Sequence, residues 1–459
     1  MFVKFRIQFV LLSYLILSGC GAKQAVSEYI GGEDNTEPPS PLISFFETAF
    51  LSEIWSESIG KGSEDQSTKI TPTILDEKIF VADPDGTIVA LAKDTGKYIW
   101  RNKTKLPITG GTGVDDTLVL VGTSEGQIIG FSKETGEEKW RSKVSSEVLS
   151  SPRESDGVVV ARTIDGKTFG LDALTGGRLW IYDRSVPALS LRGTSTPEIA
   201  NGLVIIGLDG GRVAVIELKS GKLIWEIKVA ASRGKNEIER MVDIDAQPLL
   251  IEKTIYVSTY QSNVTAIALE TGQILWQRDI SSHSGISADD VNLYISDEDD
   301  TIWALDRFTG STKWKHESLK YRQITGPANL GDKVIVGDFE SYLHWLDKET
   351  GEITARIEMG DEPILSQPKS SGNMLFVHSS SGELAAYTYQ NTEKKFREGE
   401  VSKKESDKRT AYERSRKKLQ AKESREEKSD EKSVESEDES SFFERFINIF
   451  SDDSEEEVE

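Results

Sequence analysis

Between about residues 50 and 390 the apolar positions come in short runs cut by polar turns, with the period of strands rather than helices. The first such stretch reads TPTI (71–74), KIFVAD (78–83), GTIVALAK (86–93) and KYIWRN (97–102), separated by DE, PDG and DTG turns. The last turn and strand, DTGKYIW (94–100), return as ETGEEKW (134–140), LTGGRLW (174–180), KSGKLIW (219–225), ETGQILW (270–276), FTGSTKW (308–314) and ETGEITA (349–355). Their glycines, Gly96, Gly136, Gly176, Gly221, Gly272, Gly310 and Gly351, are spaced by 40, 40, 45, 51, 38 and 41 residues. Self-similarity at this period marks a repeat architecture, and four short antiparallel strands per repeat predict a propeller blade.

The blade count follows from the third strands. TIVALAK, QIIGFSK, KTFGLDA, RVAVIEL, NVTAIAL, TIWALDR, YLHWLDK and ELAAYTY make eight, yet only seven fourth-strand motifs follow them. The missing strand lies at the other end of the folded region, LSEIWSESIG around Trp55. Pairing it with the last blade, built mainly from Met374 to Tyr389, closes the ring and removes two free edges. The expected fold is therefore all-β, an eight-bladed propeller over residues 50–390 closed by its N-terminal strand. The repeated Trp residues are expected between neighbouring blades, each contributing roughly 1.5–3 kcal/mol if buried.

The two ends have a different character. Lys4 and Arg6 precede an apolar run, FVLLSYLIL (9–17), too short to span a bilayer as a mature helix. With LSGC (17–20) it reads as a secretory signal over residues 1–19 whose end resembles the bacterial lipobox, making Cys20 the expected lipidated first residue. Cys20 is the only cysteine, so no disulfide forms within the chain. Residues 20–49, including GGEDNTEPPSPL, have the composition of a flexible tether, about 100 Å long if extended and roughly 30 Å as a coil. From 391 to 459 there are 16 Lys or Arg and 22 Asp or Glu in 69 residues, a composition that favours disorder. Its apolar island FFERFINIF (442–450) has the character of a short amphipathic docking or membrane-surface helix.

The formal net charge is −22, and phosphate neutralisation needs a basic footprint that this chain lacks, so nucleic acid is not an expected partner. A protein contact is better supported. Connections from each outer strand to the next inner strand leave on the face opposite the TG turns, and most take 10–13 residues from Trp to the next inner strand. Trp180 to Pro197 takes 17 and Trp225 to Pro248 takes 23, at adjacent junctions; Trp55 to Pro72 also takes 17, so length alone does not select the face. The two neighbouring connections carry PALSLRG (187–193), with Leu189, Leu191 and Arg192, and Asp243 and Asp245 of DID (243–245). Leucines beside an arginine and paired acids suit an apolar anchor with a polar surround. Leucines in the core and a local salt bridge would give the same pattern.

Catalytic signals are weak. The cluster DEDD (297–300) falls where a blade's second turn is expected and reads as solvated turn acids; His283, His316, His344 and His378 lie in different repeats without close metal-ligand spacing. No G-x-S-x-G nucleophile motif occurs. The sequence implies no cofactor and no metal.

The AL, TG and W signature resembles the propellers of quinoprotein dehydrogenases. Those enzymes carry a vicinal cysteine pair, which is absent here because the sole cysteine is Cys20. Within that superfamily the lipobox, the IWSESIG strand, SVPALSLRGTSTPEIANGLVIIG (185–207), IERMVDIDAQP (238–248) and VGDFESYLHWLDKETG (336–351) resemble the BamB family, lipoproteins of the outer-membrane β-barrel assembly machinery. The resemblance covers residues 1 to about 390 and leaves out the charged tail. It implies a non-catalytic scaffold of the Bam complex on the periplasmic face of the outer membrane, held by a lipid anchor and docking the barrel subunit BamA through Leu189, Leu191, Arg192, Asp243 and Asp245. Unfolded outer-membrane proteins are the implied clients. A generic propeller lipoprotein with another envelope partner would share every fold-level feature.

Overall fold

The computed structural model describes residues 37–63, 70–184, 193–230 and 242–391. Within them the chain is all-β: eight four-stranded antiparallel sheets, each a meander from an inner to an outer strand. Blade 1 comprises Thr73–Leu75, Lys78–Ala82, Thr87–Ala92 and Tyr98–Lys103, and the pattern repeats to blade 7, which ends in Ile353–Glu358. Blade 8 takes three strands from the end of the region, Lys369–Ser371, Met374–His378 and Glu383–Asn391. Its outer strand is Ala49–Ser58, in register from Ala49 opposite Asn391 to Ser58 opposite Glu383 with a bulge between Glu53 and Trp55. The expected eight blades and their closure by the Trp55 strand are what the structure contains. The lipidation candidate Cys20, the island at 442–450, and Leu189, Leu191 and Arg192 lie outside the described residues.

The second and third strands of each blade are the most deeply buried, because both of their faces meet neighbouring sheets; Ile79 to Ala82 and Ile88 to Leu91 are all fully buried. Outer strands alternate, as in Glu138–Lys143, where Trp140 alone is buried.

The repeated motif is a lock between blades. The indole N–H of Trp55 donates to the carbonyl of Lys93 in the next blade at 2.8 Å, and Trp100 does the same to Lys133 at 2.8 Å. Trp140, Trp180, Trp225, Trp276 and Trp314 continue the series to Ala173, Leu218, Leu269, Arg307 and Lys348 at 2.7–2.9 Å. Each indole also lies on the glycine of that next blade's TG turn. A Cβ on Gly96, Gly136, Gly176, Gly221, Gly272, Gly310 or Gly351 would come within 2.5–3.1 Å of the ring, and each has φ between 67 and 72°. Glycine is thus required twice, for the left-handed turn and for the ring above it. Seven of the nine Trp residues serve this lock.

The junction of blades 7 and 8 is different. Blade 7 has Ala355 at the Trp position, and blade 8 has no TG turn because its outer strand comes from the N-terminus. Here Ala49 and Ala355 are buried together with Trp345 and Tyr387, and Asp332 N–H donates to the Tyr389 hydroxyl at 3.2 Å. The last part of the segment read as tether also lies against blade 7, with Thr48 N–H donating to Thr354 O at 2.9 Å.

Gly136→Ala should destabilise the propeller by roughly 2–4 kcal/mol, the sum of a left-handed alanine and an overpacked indole contact. Chemical unfolding should show this with circular dichroism of the folded state unchanged; a loss below about 0.5 kcal/mol would mean that the indole and glycine do not hold the blades together.

Candidate functional site

Because every blade runs inner to outer as a meander, its second turn and its connection to the next blade share one face, and its first turn and TG turn share the other. The long connections between Asp183 and Glu198 and between Lys228 and Leu249 therefore sit side by side on the connection face. The described parts of these connections meet there. A Cβ on Gly193, the last residue of PALSLRG, would lie 2.5 Å from Asp245 Oδ1, so the backbone of the first connection passes directly under the carboxylate of the second.

The DID segment is held by its centre. Ile244 is buried among Ile205, Val213 and Val257, with Asp243 reaching the Gly210 turn of blade 4 and Asp245 lying against Gly193. Asp243 is only 2% exposed: its Oδ1 accepts from Gly210 N–H at 3.0 Å and its carbonyl from Tyr260 N–H at 3.0 Å. Asp245 is half-buried and is the more accessible of the two. Asp243 therefore shapes the surface, whereas Asp245 presents charge on it.

Beneath this pair lies a cation that the sequence did not advertise. Arg162 closes the strand Val158–Arg162 and is 1% exposed; Nη1 donates to Ser195 Oγ at 2.9 Å and to Ser195 O at 3.3 Å, and Ser195 Oγ donates on to Gly207 O at 3.0 Å. Nε of Arg162 has no hydrogen-bond partner. Burial pushes the guanidinium pKa down, and the nearby Asp209 and Asp245 carboxylates oppose that shift. Asp209, on the blade 4 turn, is pushed up by burial, with Arg162 pulling it back and Asp243 adding repulsion. One buried cation facing Asp209 and Asp245 helps keep the acids of one turn and one connection close together despite the repulsion between Asp209 and Asp243.

The start of the first connection is clamped separately. The Glu226 side chain is 6% exposed, accepts from Arg184 Nε at 2.8 Å, Arg212 Nη1 at 3.1 Å and the Tyr182 hydroxyl at 3.0 Å, and so binds blade 3 to blade 4. Arg162, Asp209 and Glu226 escaped the sequence reading because each stands in or beside a strand that reads as one of eight similar copies. A signal was present in VVVAR (158–162), where an arginine ends a run of the type that is otherwise buried and apolar.

The DEDD cluster is not uniformly solvated. Asp297 accepts from the N–H groups of Asp299 and Thr301 at 3.0 and 2.8 Å and from the Trp303 indole at 2.7 Å. Asp300 is 8% exposed and accepts from Gln323 and Ile324 N–H, both at 2.8 Å; burial pushes its pKa up to about 6. It fastens the next connection, a structural task. Among the described residues no three or more His, Cys, Asp and Glu side chains converge as a metal-ligating set.

Fold and face together define a ring-closed eight-bladed propeller with a charged surface made by adjacent connections. Quinohemoprotein alcohol dehydrogenase from Comamonas testosteroni is similar in fold, with a TM-score of 0.60 over 74% of this chain and 76% of that one at 13% identity. Far closer in sequence is "Outer membrane protein assembly factor BamB" of Pseudomonas aeruginosa, 45% identical over 351 residues that cover 76% of this chain and 92% of the relative. The protein of the same description from Kangiella koreensis is 46% identical, covering 73% and 87%. A crystal structure of BamB from Moraxella catarrhalis aligns with a TM-score of 0.68 at 26% identity, over 74% of this chain and all of that one. The family described as outer membrane protein assembly factor BamB matches residues 84–316, and the chain belongs to that family.

Ser195→Ala removes the hydroxyl that pairs with Arg162 and should cost about 1–3 kcal/mol in chemical unfolding, because the cation is already short of one partner. An unchanged midpoint would show that Arg162 is satisfied without Ser195.

Proposed function

We propose that this protein is a non-catalytic scaffold of outer-membrane protein assembly, held to the membrane by a lipid on Cys20 and docking BamA through the connection face. The names of its relatives support the assembly role, and LSGC (17–20) supports the anchor and, with it, a propeller on the periplasmic side of the outer membrane. The observation that supports the docking site is the close approach of the Gly193 backbone to Asp245, since Gly193 ends PALSLRG and Asp245 ends DID. Leu189, Leu191 and Arg192 supply an apolar anchor and a cation, Asp245 supplies the facing charge, and Asp243 holds the patch in shape. Such a patch has the anatomy of a contact whose energy resides in a few central side chains.

A second reading concerns clients, the unfolded outer-membrane proteins. Just before the Trp of the outer strand, blades 8, 1, 3, 4 and 5 expose Ile54, Ile99, Leu179, Ile224 and Leu275, whereas blades 2 and 6 place Lys139 and Lys313 there. Lysine on an edge discourages strand addition, and exposed apolar residues beside free backbone groups favour it. The edges of blades 3 to 5 are the continuous run where an extended client strand would add.

An affinity pull-down from detergent-solubilised membranes tests the docking site. BamA should copurify with wild type and fall at least tenfold with Leu189→Ala/Leu191→Ala/Arg192→Ala, both proteins having equal melting temperatures. Equal recovery would move the contact to another face, and no BamA with either would replace this reading with a different envelope partner.

A further inference from the structure

The segment before the propeller is attached at three points. Ser40 N–H donates to Lys320 O at 3.0 Å and Ser40 O accepts from Arg322 Nη1 at 3.1 Å. Three residues on, Ile43 O accepts from Arg356 Nη1 at 3.1 Å, and the Phe45 ring lies under the same guanidinium at 5.0 Å. Thr48 N–H completes the series on Thr354 O.

The two arginines are fixed from behind. Asp338, fully buried, accepts from Arg322 Nε at 2.7 Å and hydrogen-bonds His344 Nε2 at 2.8 Å, while His344 Nδ1 accepts from Arg356 Nε at 3.1 Å. Glu340 also pairs with Arg322. The guanidiniums thus project from a packed network toward backbone carbonyls of the incoming chain.

The direction of travel matters. Thr354 lies near the TG-turn end of blade 7's outer strand, Arg356 is further along it, and Lys320 and Arg322 belong to the connection entering blade 7. Residues 48 back to 40 therefore cross the outer edge of blade 7 and emerge on the connection face, the face that carries Asp243 and Asp245.

We infer that residues 40–48 are a strap clamped to blade 7 that delivers the N-terminal segment to the connection face, so that this face, rather than the TG-turn face, is presented to a bilayer holding Cys20. The inference rests on the lipid-anchor reading for its membrane half. About twenty residues separate Cys20 from Ser40, so the exit point cannot stand more than about 70 Å from the anchor, against about 100 Å for a tether running to residue 49. The partner that suits this arrangement is a membrane-embedded protein whose docking element projects from the same bilayer within that distance.

The test uses the full-length lipoprotein on phosphatidylethanolamine/phosphatidylglycerol vesicles with an energy acceptor on the lipid head group. A donor dye is placed by Glu125→Cys on the connection face or Glu134→Cys on the TG-turn face, since both positions are exposed and the lipidated Cys20 has no free thiol. Transfer should be at least twofold higher from position 125 than from 134. Phe45→Ser/Thr48→Pro, which removes the ring and one donor, should reduce that ratio toward one. Equal transfer in wild type, or a ratio unmoved by release, overturns the orientation. Chymotrypsin reads the strap separately, because Phe45 and Phe46 of folded wild type should resist cleavage at least tenfold longer than in the released variant; equal cleavage overturns the strap. Failure of wild type to float with vesicles would instead sink the anchor reading and the membrane half with it, leaving the chymotrypsin result to decide the strap.

Discussion

The ring depends on one indole set against one glycine at each junction. A propeller has to hold eight sheets face to face with little covalent help, and this chain has a single cysteine, so no disulfide can assist. Burial of flat sheet faces supplies most of the free energy but does not fix how each sheet is turned against the next. The Trp and Gly pair supplies that definition, since the indole fits only where no Cβ stands and its N–H reaches one carbonyl. Where the pattern lapses, at blade 7, the N-terminal strand and the residues before it occupy the gap. Ring closure and N-terminal attachment are therefore one structural event.

Fixing the blades fixes the connections. Two long connections at adjacent junctions would diverge on a loosely assembled ring; on this one they meet, with Asp245 over Gly193 and Arg162 beneath both. The buried guanidinium does for the surface what the indoles do for the core, holding like charges in a place they would otherwise leave. A scaffold needs this rigidity more than an enzyme's reactive groups, because a docking patch works by presenting a fixed arrangement of side chains.

The blades are legible in the sequence because the TG turn and Trp recur with strand-type runs between them, and because Trp55 stands where the eighth copy is missing. It brought PALSLRG and DID together through loop length and topology, which depend on chain connectivity alone. It did not separate the roles of Asp243 and Asp245, since which carboxylate is buried depends on Ile244 finding a pocket between distant strands. Asp300 looks solvated in the sequence because a turn acid has the same pattern whether water or two N–H groups from the next connection satisfy it. The strap was invisible for a related reason: Arg322 and Arg356 bind the carbonyls of Ser40 and Ile43, and every residue carries a carbonyl.

The proposed docking on the connection face has a direct test. A photoreactive residue at Asp183, exposed on that face of blade 3, or at Leu174, 86% exposed on the TG-turn side of the same blade, tests it in intact membranes. The account predicts a crosslink to BamA from position 183 and none from 174. A crosslink from 174 alone, or from neither position, would contradict it.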